Sequence, residues 1–453
     1  MTSAATVRHP ISISPDSSIS PDSSNSSDSA NLSSSAGSPS SSNSSSSAKS
    51  SSGAFAALRF RAYRTYVAGQ SLANIGAWMQ SVAQDWLVLR LTDSATAVGI
   101  TMALQFLPML LFGVHGGLLA DRCPRRRLLL ATQSANALLT GALAALTIVG
   151  AIRAEHVYVF AFLCGLVFVV DAPTRQVFVA EVVPPQYLQS AISLNGAVFQ
   201  ATRLVGPAVA GLLIGTVGTG WAFAANALCY LGPTVGLLRL RASDLIPAAP
   251  PDREPRPLRT ALRHVRERPQ VFWTIFLVGV VGMFGLNFPI VLTAMASRTF
   301  SAGAGMYGLF NVVLAVGSVA GALLAGGRPA GRLRLIVILG GLFGLFQALD
   351  AVAPDLLGFL VLLICMGAAN LAFQAMANAS VQLRVDPQVR GRVMGLYLIA
   401  FMGGTPIGAP IIGGLTNHFG ARAGMLACGL IPIVACIIIV LIRGGRLRAS
   451  AVI

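Results

Sequence analysis

Charged residues are scarce in this sequence, and acidic ones are the scarcest. Asp, Glu, Lys and Arg make up 11% of the 453 residues, whereas hydrophobic residues make up 54%. A soluble domain carries about 25% charged residues, so this composition excludes an ordinary soluble protein. It predicts an integral membrane protein whose main partner is the lipid bilayer.

Motifs that signal enzymes, metal centres and ATP-driven machines are also missing. The six cysteines are scattered without a CxxC pair, and the five histidines are dispersed without an HExxH pattern. Neither a GxSxG motif nor a GxxxxGK[ST] phosphate loop occurs, so hydrolase chemistry and ATP binding have no support. We expect no catalytic residue, metal or cofactor, and energy must come from an ion or substrate gradient.

The apolar residues form runs of about 18–25 residues, the length that a helix needs to cross about 30 Å of hydrocarbon. Backbone groups in lipid must bond within their own segment, so these runs are predicted to be helices. Twelve spans are predicted, at 66–90, 96–120, 127–150, 156–173, 190–216, 220–238, 271–295, 304–325, 333–352, 356–379, 393–416 and 421–442.

Arginine is distributed unevenly between the loops. One side holds most of the arginines, including the cluster at 122–127, and the other side holds only Arg90, Arg153, Arg298 and Arg422. Cytoplasmic loops are enriched in Lys and Arg, so both termini are predicted to lie on the cytoplasmic side of the cell membrane. The net charge of +16 therefore reflects orientation and does not predict a nucleic-acid partner.

Composition also predicts the domain boundaries. Residues 1–53 are rich in serine and are predicted to be a disordered cytoplasmic tail. A Pro- and Arg-rich break falls midway along the chain, with an amphipathic helix expected at 258–268. The remaining segments are predicted as a six-helix bundle at 60–238, a cytoplasmic linker at 239–270, a second six-helix bundle at 271–442 and a cytoplasmic tail at 443–453.

The two halves resemble each other in sequence. The stretch "VGPAVAGL" matches "GAPIIGGL", and an alignment without gaps places Pro184, Pro207 and Gly211 on Pro387, Pro410 and Gly414. Chance likeness between apolar Gly/Ala helices is the alternative. Matching prolines in both a loop and a helix favour an internal repeat, which is typical of secondary transporters with a site between their halves.

One loop carries a specific motif, "GGLLADRCPRRR" at 116–127. It resembles the loop between helices two and three of the major facilitator superfamily, where a Gly-x-Leu-Ala-Asp-Arg-x-Gly-Arg-Arg pattern is characteristic. Pro124 stands where the pattern has glycine. Stretches at 74–99, 171–184 and 390–397 resemble the branch that includes the enterobactin exporter and related drug and siderophore exporters.

The resemblance implies the major facilitator fold, an all-α integral membrane protein of twelve transmembrane helices in two six-helix pseudo-repeated bundles. It also implies a conformational latch, in which Asp121 contacts the start of helix eleven near Gly391 in the other half. The alternative is that the arginines only set orientation. In the second half Gly326 replaces Asp121, so the latch would be one-sided. The latch residues are Gly117, Asp121, Arg122, Arg125 and Arg126.

The leading hypothesis is a secondary active transporter that exports small drug- or siderophore-like molecules by alternating access, with proton antiport. A nutrient importer of the same fold is the alternative, and a non-transporting membrane sensor or enzyme is a third hypothesis. The expected partners are a small-molecule substrate, protons and lipid. The chain is expected to act as a monomer.

Ionisable residues within spans are costly and mark functional sites. Asp85 in helix one and Arg203 near the middle of helix five are the candidates for ion coupling, and we expect them to pair. Alternatively, Asp85 reaches the outer interface beside Trp86 and Arg203 binds backbone carbonyls. Asp350 and Asp355 flank an outer loop and are expected to be solvated.

Two further groups are candidates on helices four and five. Asp171 and Arg175 lie four residues apart and share a face, as either a local ion pair or a contact of the cytoplasmic gate. Gly206, Pro207 and Gly211 resemble the helix-five motif of superfamily antiporters. Close helix packing alone would also explain these small residues.

The resemblance implies that helices one, four, seven and ten line the substrate cavity. Apolar and amide side chains there suit an uncharged or amphipathic ligand, although each is alternatively a packing residue. The candidate cavity residues are Gln80, Asn287, Phe288, Asn370 and Gln374.

Overall fold

The structure is a computed structural model that describes residues 56–240, 246, 258–326 and 333–450, except for the side chains at 114, 117, 118, 120, 121, 258–261, 326, 387, 388 and 443–450. The described chain is helical and contains no strand, as expected where lipid cannot satisfy backbone polar groups. The predicted tail at 1–53 and much of the predicted linker at 239–270 lie outside the described residues.

The first half contains seven α-helices whose ends follow local sequence signals. The Ser94 side chain accepts a hydrogen bond from the Ala97 N–H and caps the second helix. Gly150 ends the third helix with a left-handed φ of 79°, a conformation that favours glycine. The helices are α1 Arg61–Thr92, α2 Ala95–Arg122, α3 Arg125–Val149, α4 Ala154–Phe178, α5 Leu188–Thr216, α6 Thr219–Cys229 and α7 Leu231–Arg239.

The second half follows a short amphipathic helix, α8 Leu258–Glu267, which agrees with the helix predicted at 258–268. Two of its crossing segments are composite, Pro269–Thr299 and Val389–Phe419. The first contains a π-helical turn at Val281–Gly285 between its two α-helices. The remaining helices are α9 Pro269–Val280, α10 Phe288–Ala294, α11 Ala304–Gly326, α12 Leu333–Ala351, α13 Leu356–Arg384, α14 Pro387–Gly403, α15 Thr405–Phe419 and α16 Ala421–Ser450.

Eleven helical segments of the described chain are long and apolar enough to cross a membrane. The other long helix, α1, has 32 residues and packs against α5, α6 and α7 within the bundle. Large apolar side chains cover the outside of the bundle, as a lipid-facing surface requires; examples are Leu138, Leu212, Leu357 and Leu441. The prediction of an all-α membrane protein is confirmed.

Three predicted helix boundaries differ from the structure. The seventh predicted span, 271–295, was expected to be one continuous helix. It breaks between the π-helical turn and α10, because Pro289 has no N–H to continue the helix. The eleventh predicted span corresponds to α14 and α15. It begins at Pro387, not near Gly391, and breaks at Gly404. The last helix continues to Ser450, into the stretch predicted as a tail.

The same helix pairs form in both halves. In the first half α2 packs on α4, and in the second half the corresponding pair is α11 on α13. Glycine makes both crossings close: the carbonyl oxygens of Val169 and Ala368 occupy the places where a Cβ on Gly116 and Gly321 would lie. These two glycines begin the similar stretches "GGLLAD" at 116–121 and "GALLAG" at 321–326. This second likeness between the halves therefore corresponds to the same packing.

Candidate functional site

The two halves meet mainly through two helix pairs, α2 with α15 and α5 with α11. Glycines line both crossings. A Cβ on Gly308 would stand 2.9 Å from the Gly211 Cα and from the Pro207 oxygen. A Cβ on Gly413 would stand 2.8 Å from the Ala95 oxygen. The backbones of the two halves therefore touch directly, as small residues permit.

Both crossings lie at one end of the molecule. They involve the first turns of α2 and α11 and the second halves of α5 and α15. We call this the arginine-poor end. The opposite end carries the loop at 122–127 and is called the arginine-rich end.

Toward the arginine-rich end the corresponding helix faces are not packed together. A Cβ on Gly196 of α5, or on Gly391 or Gly395 of α14, would meet nothing within 4 Å. On α5, Ile192 is 52% exposed and Phe199 is 45% exposed. The halves thus join at the arginine-poor end and part toward the arginine-rich end, which leaves a cleft between them.

A buried hydrogen bond joins the halves beside the crossings. The Tyr307 hydroxyl of α11 donates to Asp85 Oδ2 of α1 at 2.9 Å, and Asp85 is only 5% exposed. A hydrogen bond to a charged group contributes about 1.5–3 kcal/mol. Because the donor and the acceptor belong to different halves, any motion that parts the halves at this end must break the bond.

The expected pair of Asp85 with Arg203 is not formed. Asp85 is buried against Tyr307, so it does not reach the outer interface beside Trp86 either. The Arg203 guanidinium carbon lies 5.4 Å from the centroid of the Trp78 ring, within the range of a cation–π contact. Asp85 and Trp78 are seven residues apart, about 10 Å along the helix, which places Arg203 too far from the carboxylate.

Arg298 connects the halves at the surface of the arginine-poor end. Its guanidinium donates to the Asp93 backbone carbonyl and lies 3.5 Å from the Asp93 carboxylate. It also donates to Asn417 Oδ1 at 3.2 Å. Sequence reasoning did not identify Arg298 or Tyr307 as functional, and its one available signal was that Arg298 is among the few arginines on its side of the membrane.

The loop motif makes its described contacts within the first half. Arg125 forms an ion pair with Glu181, in the turn that follows α4. Arg126 donates to the last carbonyls of α7, at 2.8 Å to Leu237 and 3.1 Å to Leu238, which stabilises that helix end. These two arginines therefore hold α3, α4 and α7 together.

Other members of the expected latch remain without a described contact to the other half. Arg122 is exposed. The side chains at Gly117 and Asp121 lie outside the described residues.

Asp171 and Arg175 form an ion pair on α4. Asp171 Oδ1 also accepts hydrogen bonds from Thr132 at 2.7 Å and Gln133 at 2.9 Å on α3, and Arg175 donates to Asn74 of α1 at 3.3 Å. All these residues belong to the first half. The structure therefore shows the local ion pair, inside a polar network that ties three helices, and shows no gate contact among the described partners.

Most of the expected cavity residues are instead packing residues. Gln80 accepts hydrogen bonds from Thr140 at 3.0 Å and from Asn226, both within the first bundle. Asn287 is fully buried, and its side-chain amide donates to the Met283 and Phe284 carbonyls of the π-helical turn, each at 2.9 Å. Sequence could assign these residues to helices but not to the correct face.

The other three expected cavity residues lie in the second bundle. Phe288 is buried against Phe343, with ring centroids 6.1 Å apart. Asn370 is buried and accepts a hydrogen bond from Gln374 at 2.8 Å. Of these three, only Gln374 is partly exposed, so it remains a candidate for lining the cleft.

The helix-five motif residues are all at helix contacts. A Cβ on Gly206 would press on the Trp78 side chain of α1. Pro207 and Gly211 lie in the crossing with α11 described above. The motif therefore allows α5 to contact both a neighbour in its own half and a helix of the other half.

Asp350 is buried, contrary to the expectation that it is solvated. It is 0% exposed, and neither carboxylate oxygen has a hydrogen-bond partner. The loop that follows is short, and α12 packs along α16 up to its last turns. Asp355 is exposed, as expected.

Comparison with known proteins places this arrangement in a family. Residues 52–451 match the model of a family described as transmembrane secretion effector. The chain belongs to that family. Its fold also matches a solved bacterial homologue of the human lysosomal transporter Spinster, in an inward-facing and unoccupied conformation, with a TM-score of 0.65 at 14% identity over 83% of this chain and 95% of that chain.

Two relatives of this protein have names that describe transport. The staphyloferrin A transporter of Staphylococcus aureus is 23% identical over 362 residues, 78% of this chain and 89% of the relative. The multidrug efflux pump Tap of Mycobacterium tuberculosis is 28% identical over 396 residues, 83% of this chain and 92% of the relative. This protein is thus a multi-pass major facilitator transporter of small molecules and not an enzyme.

Proposed function

We propose that this protein exports drug- or siderophore-like molecules across the cell membrane by alternating access, driven by proton antiport. The observation that carries the proposal is the Asp85–Tyr307 hydrogen bond, a titratable group buried where the halves meet. The named activities of the relatives, multidrug efflux and siderophore transport, support the direction and the substrate class.

The orientation of the protein in the membrane determines the compartment to which the cleft opens. Under the positive-inside rule the arginine-rich end faces the cytoplasm, together with both termini. The cleft therefore opens to the cytoplasm, which is the side where an exporter takes up its substrate. The contacts at the arginine-poor end then separate the cleft from the outside.

The coupling follows from the location of Asp85. When the halves part at the arginine-poor end, the Tyr307 bond breaks and the carboxylate meets external water, from which it takes a proton as the substrate leaves. The neutral carboxyl returns to the interface without burying a charge, which would be costly. The proton then leaves toward the cytoplasm, and the carboxylate regains the Tyr307 hydroxyl.

We extend the proposal to the loop motif. Arg125 and Arg126 fix the loop to α4 and α7, so the end of α2 that carries Asp121 moves with the first half as one unit. Asp121 then acts as the latch that contacts α14 when the arginine-rich end closes. Asp121→Asn should slow transport without reducing the amount of protein inserted in the membrane.

The test is transport by the purified full-length protein in proteoliposomes with an imposed pH gradient, with rhodamine 123 and ethidium as substrates. Wild type should accumulate a dye against its gradient. Asp85→Asn should abolish this accumulation and keep downhill movement, whereas the exposed Asp355→Asn should behave as wild type. Gradient-driven accumulation by Asp85→Asn would contradict the coupling, and accumulation toward the cytoplasmic side would indicate an importer.

A further inference from the structure

One face of α1 lies at the interface between the halves. Asp85 on this face reaches Tyr307 of the other half. Trp78 lies seven residues earlier, two helical turns away, and therefore on the same face. It is about 10 Å nearer the arginine-rich end, and it is partly exposed. Trp78 thus faces the space where the halves have parted.

Arg203 lies at the point on α5 where the cleft begins. Pro207, one turn toward the arginine-poor end, is buried in the crossing with α11. Phe199, one turn in the other direction, is 45% exposed. The guanidinium extends over Trp78, and the Trp78 and Phe199 ring centroids are 5.7 Å apart. These three side chains form a cationic and aromatic cluster at the inner end of the cleft.

The charge of Arg203 has no counterpart in the described part of the chain. Two other partly buried arginines of this half pair with acids, Arg125 with Glu181 and Arg175 with Asp171. Among the described residues, the contact recorded for the Arg203 guanidinium is the one with the Trp78 ring. A buried, unpaired arginine within a membrane span is costly, and a cation–π contact offsets only part of that cost. An anion from outside the chain would supply the missing partner.

We propose that Arg203, Trp78 and Phe199 form a recognition subsite for a substrate that carries a carboxylate beside a flat ring. The guanidinium binds the carboxylate with two parallel N–H···O bonds, and the aromatic faces bind the ring. The sequence predicts an uncharged or amphipathic ligand, and this subsite adds organic anions to that range. It deepens the proposed transport function and rests on it.

The test is equilibrium binding to the full-length protein in nanodiscs, without any gradient, measured by fluorescence anisotropy. The probes are fluorescein and rhodamine 123, which share a xanthene ring and carry opposite charges at neutral pH. Arg203→Gln should weaken fluorescein binding by about tenfold or more, the loss of one charge-assisted contact. It should leave rhodamine 123 affinity within about twofold, and Arg203→Lys should restore part of the fluorescein affinity.

Two further variants separate recognition from folding. Arg422→Gln removes a guanidinium that donates to the Ala353 carbonyl at the far end of the molecule, and it should leave the affinity for both probes unchanged. Trp78→Leu should lower the affinity for both probes, because it removes the indole surface against which either xanthene ring packs. The thermal unfolding midpoint of each variant shows whether it is folded.

Three results would overturn the subsite: wild type that does not bind fluorescein, equal fluorescein affinity in wild type and Arg203→Gln, or an equal loss for both probes in Arg203→Gln. Because binding is measured without a gradient, the subsite can fail while rhodamine 123 is still pumped. In the converse case, Arg203-dependent fluorescein binding by a protein that transports no dye would leave the subsite standing and refute the proposed transport cycle.

Discussion

Replacing Gly308 with alanine should weaken the closed arginine-poor end and leave the rest of the fold intact. The added Cβ would stand 2.9 Å from the Gly211 Cα and the Pro207 oxygen, whereas ordinary contact begins at 3.4 Å. The helices must therefore separate by about 0.5 Å, the difference between these distances. Overpacking of this kind costs about 1–3 kcal/mol. The cost arises only while α5 and α11 touch, so it shifts the equilibrium toward separation by about 5- to 150-fold.

Gly305→Ala is the matched control, since its Cβ would lie 4.0 Å from its nearest neighbour, the Gly211 oxygen. Spin labels on cysteines at Val149 and Phe419, exposed residues of opposite halves at this end, report the separation by double electron–electron resonance. The population at longer distance should grow in Gly308→Ala and not in the control. Identical distance distributions for both variants and wild type would refute the reasoning.

Three other predictions concern charges. Glu181→Gln leaves Arg125 unpaired and should lower the free energy of unfolding by about 1–3 kcal/mol in denaturant titrations, while the exposed Glu155→Gln should not. Arg298→Gln removes a surface contact worth about 0.2–1 kcal/mol. It should therefore lengthen the same spin-label distance less than Gly308→Ala does, and high salt should reduce the effect. A larger shift that does not depend on salt would contradict this. Asp350→Asn should raise the thermal unfolding midpoint, because it removes a buried unpaired carboxylate, and a lower midpoint would count against that account.

The helices could be predicted from sequence because lipid imposes length and apolarity on each segment. The breaks could not be placed as well. Pro289 and the glycines near it were visible in the sequence, but whether a proline bends a helix or ends it depends on the backbone groups that neighbouring helices can satisfy. The π-helical turn before Leu286 is such a local adjustment.

The functional contacts could be predicted only in part. Asp85 and Arg203 stand out because charge is rare within spans, but their partners could not be read from the sequence. Asp85 bonds to a residue 222 positions away, and no local pattern specifies a contact at that separation. Gln80 shows the same limit of prediction. The sequence does not specify how a helix is rotated about its axis, so a residue expected in the cavity can instead pack inside its own bundle.

The most direct test of the central claim, that the two halves tilt about the interface to expose the cleft to each side in turn, compares distances at both ends of one molecule. One spin-label pair at positions 149 and 419 reports the arginine-poor end, and a second pair at Arg127 and Leu383, both exposed, reports the arginine-rich end. As pH is lowered and a transported dye is added, the two distances should change in opposite directions. Distances that stay fixed, or that lengthen together, would contradict the account.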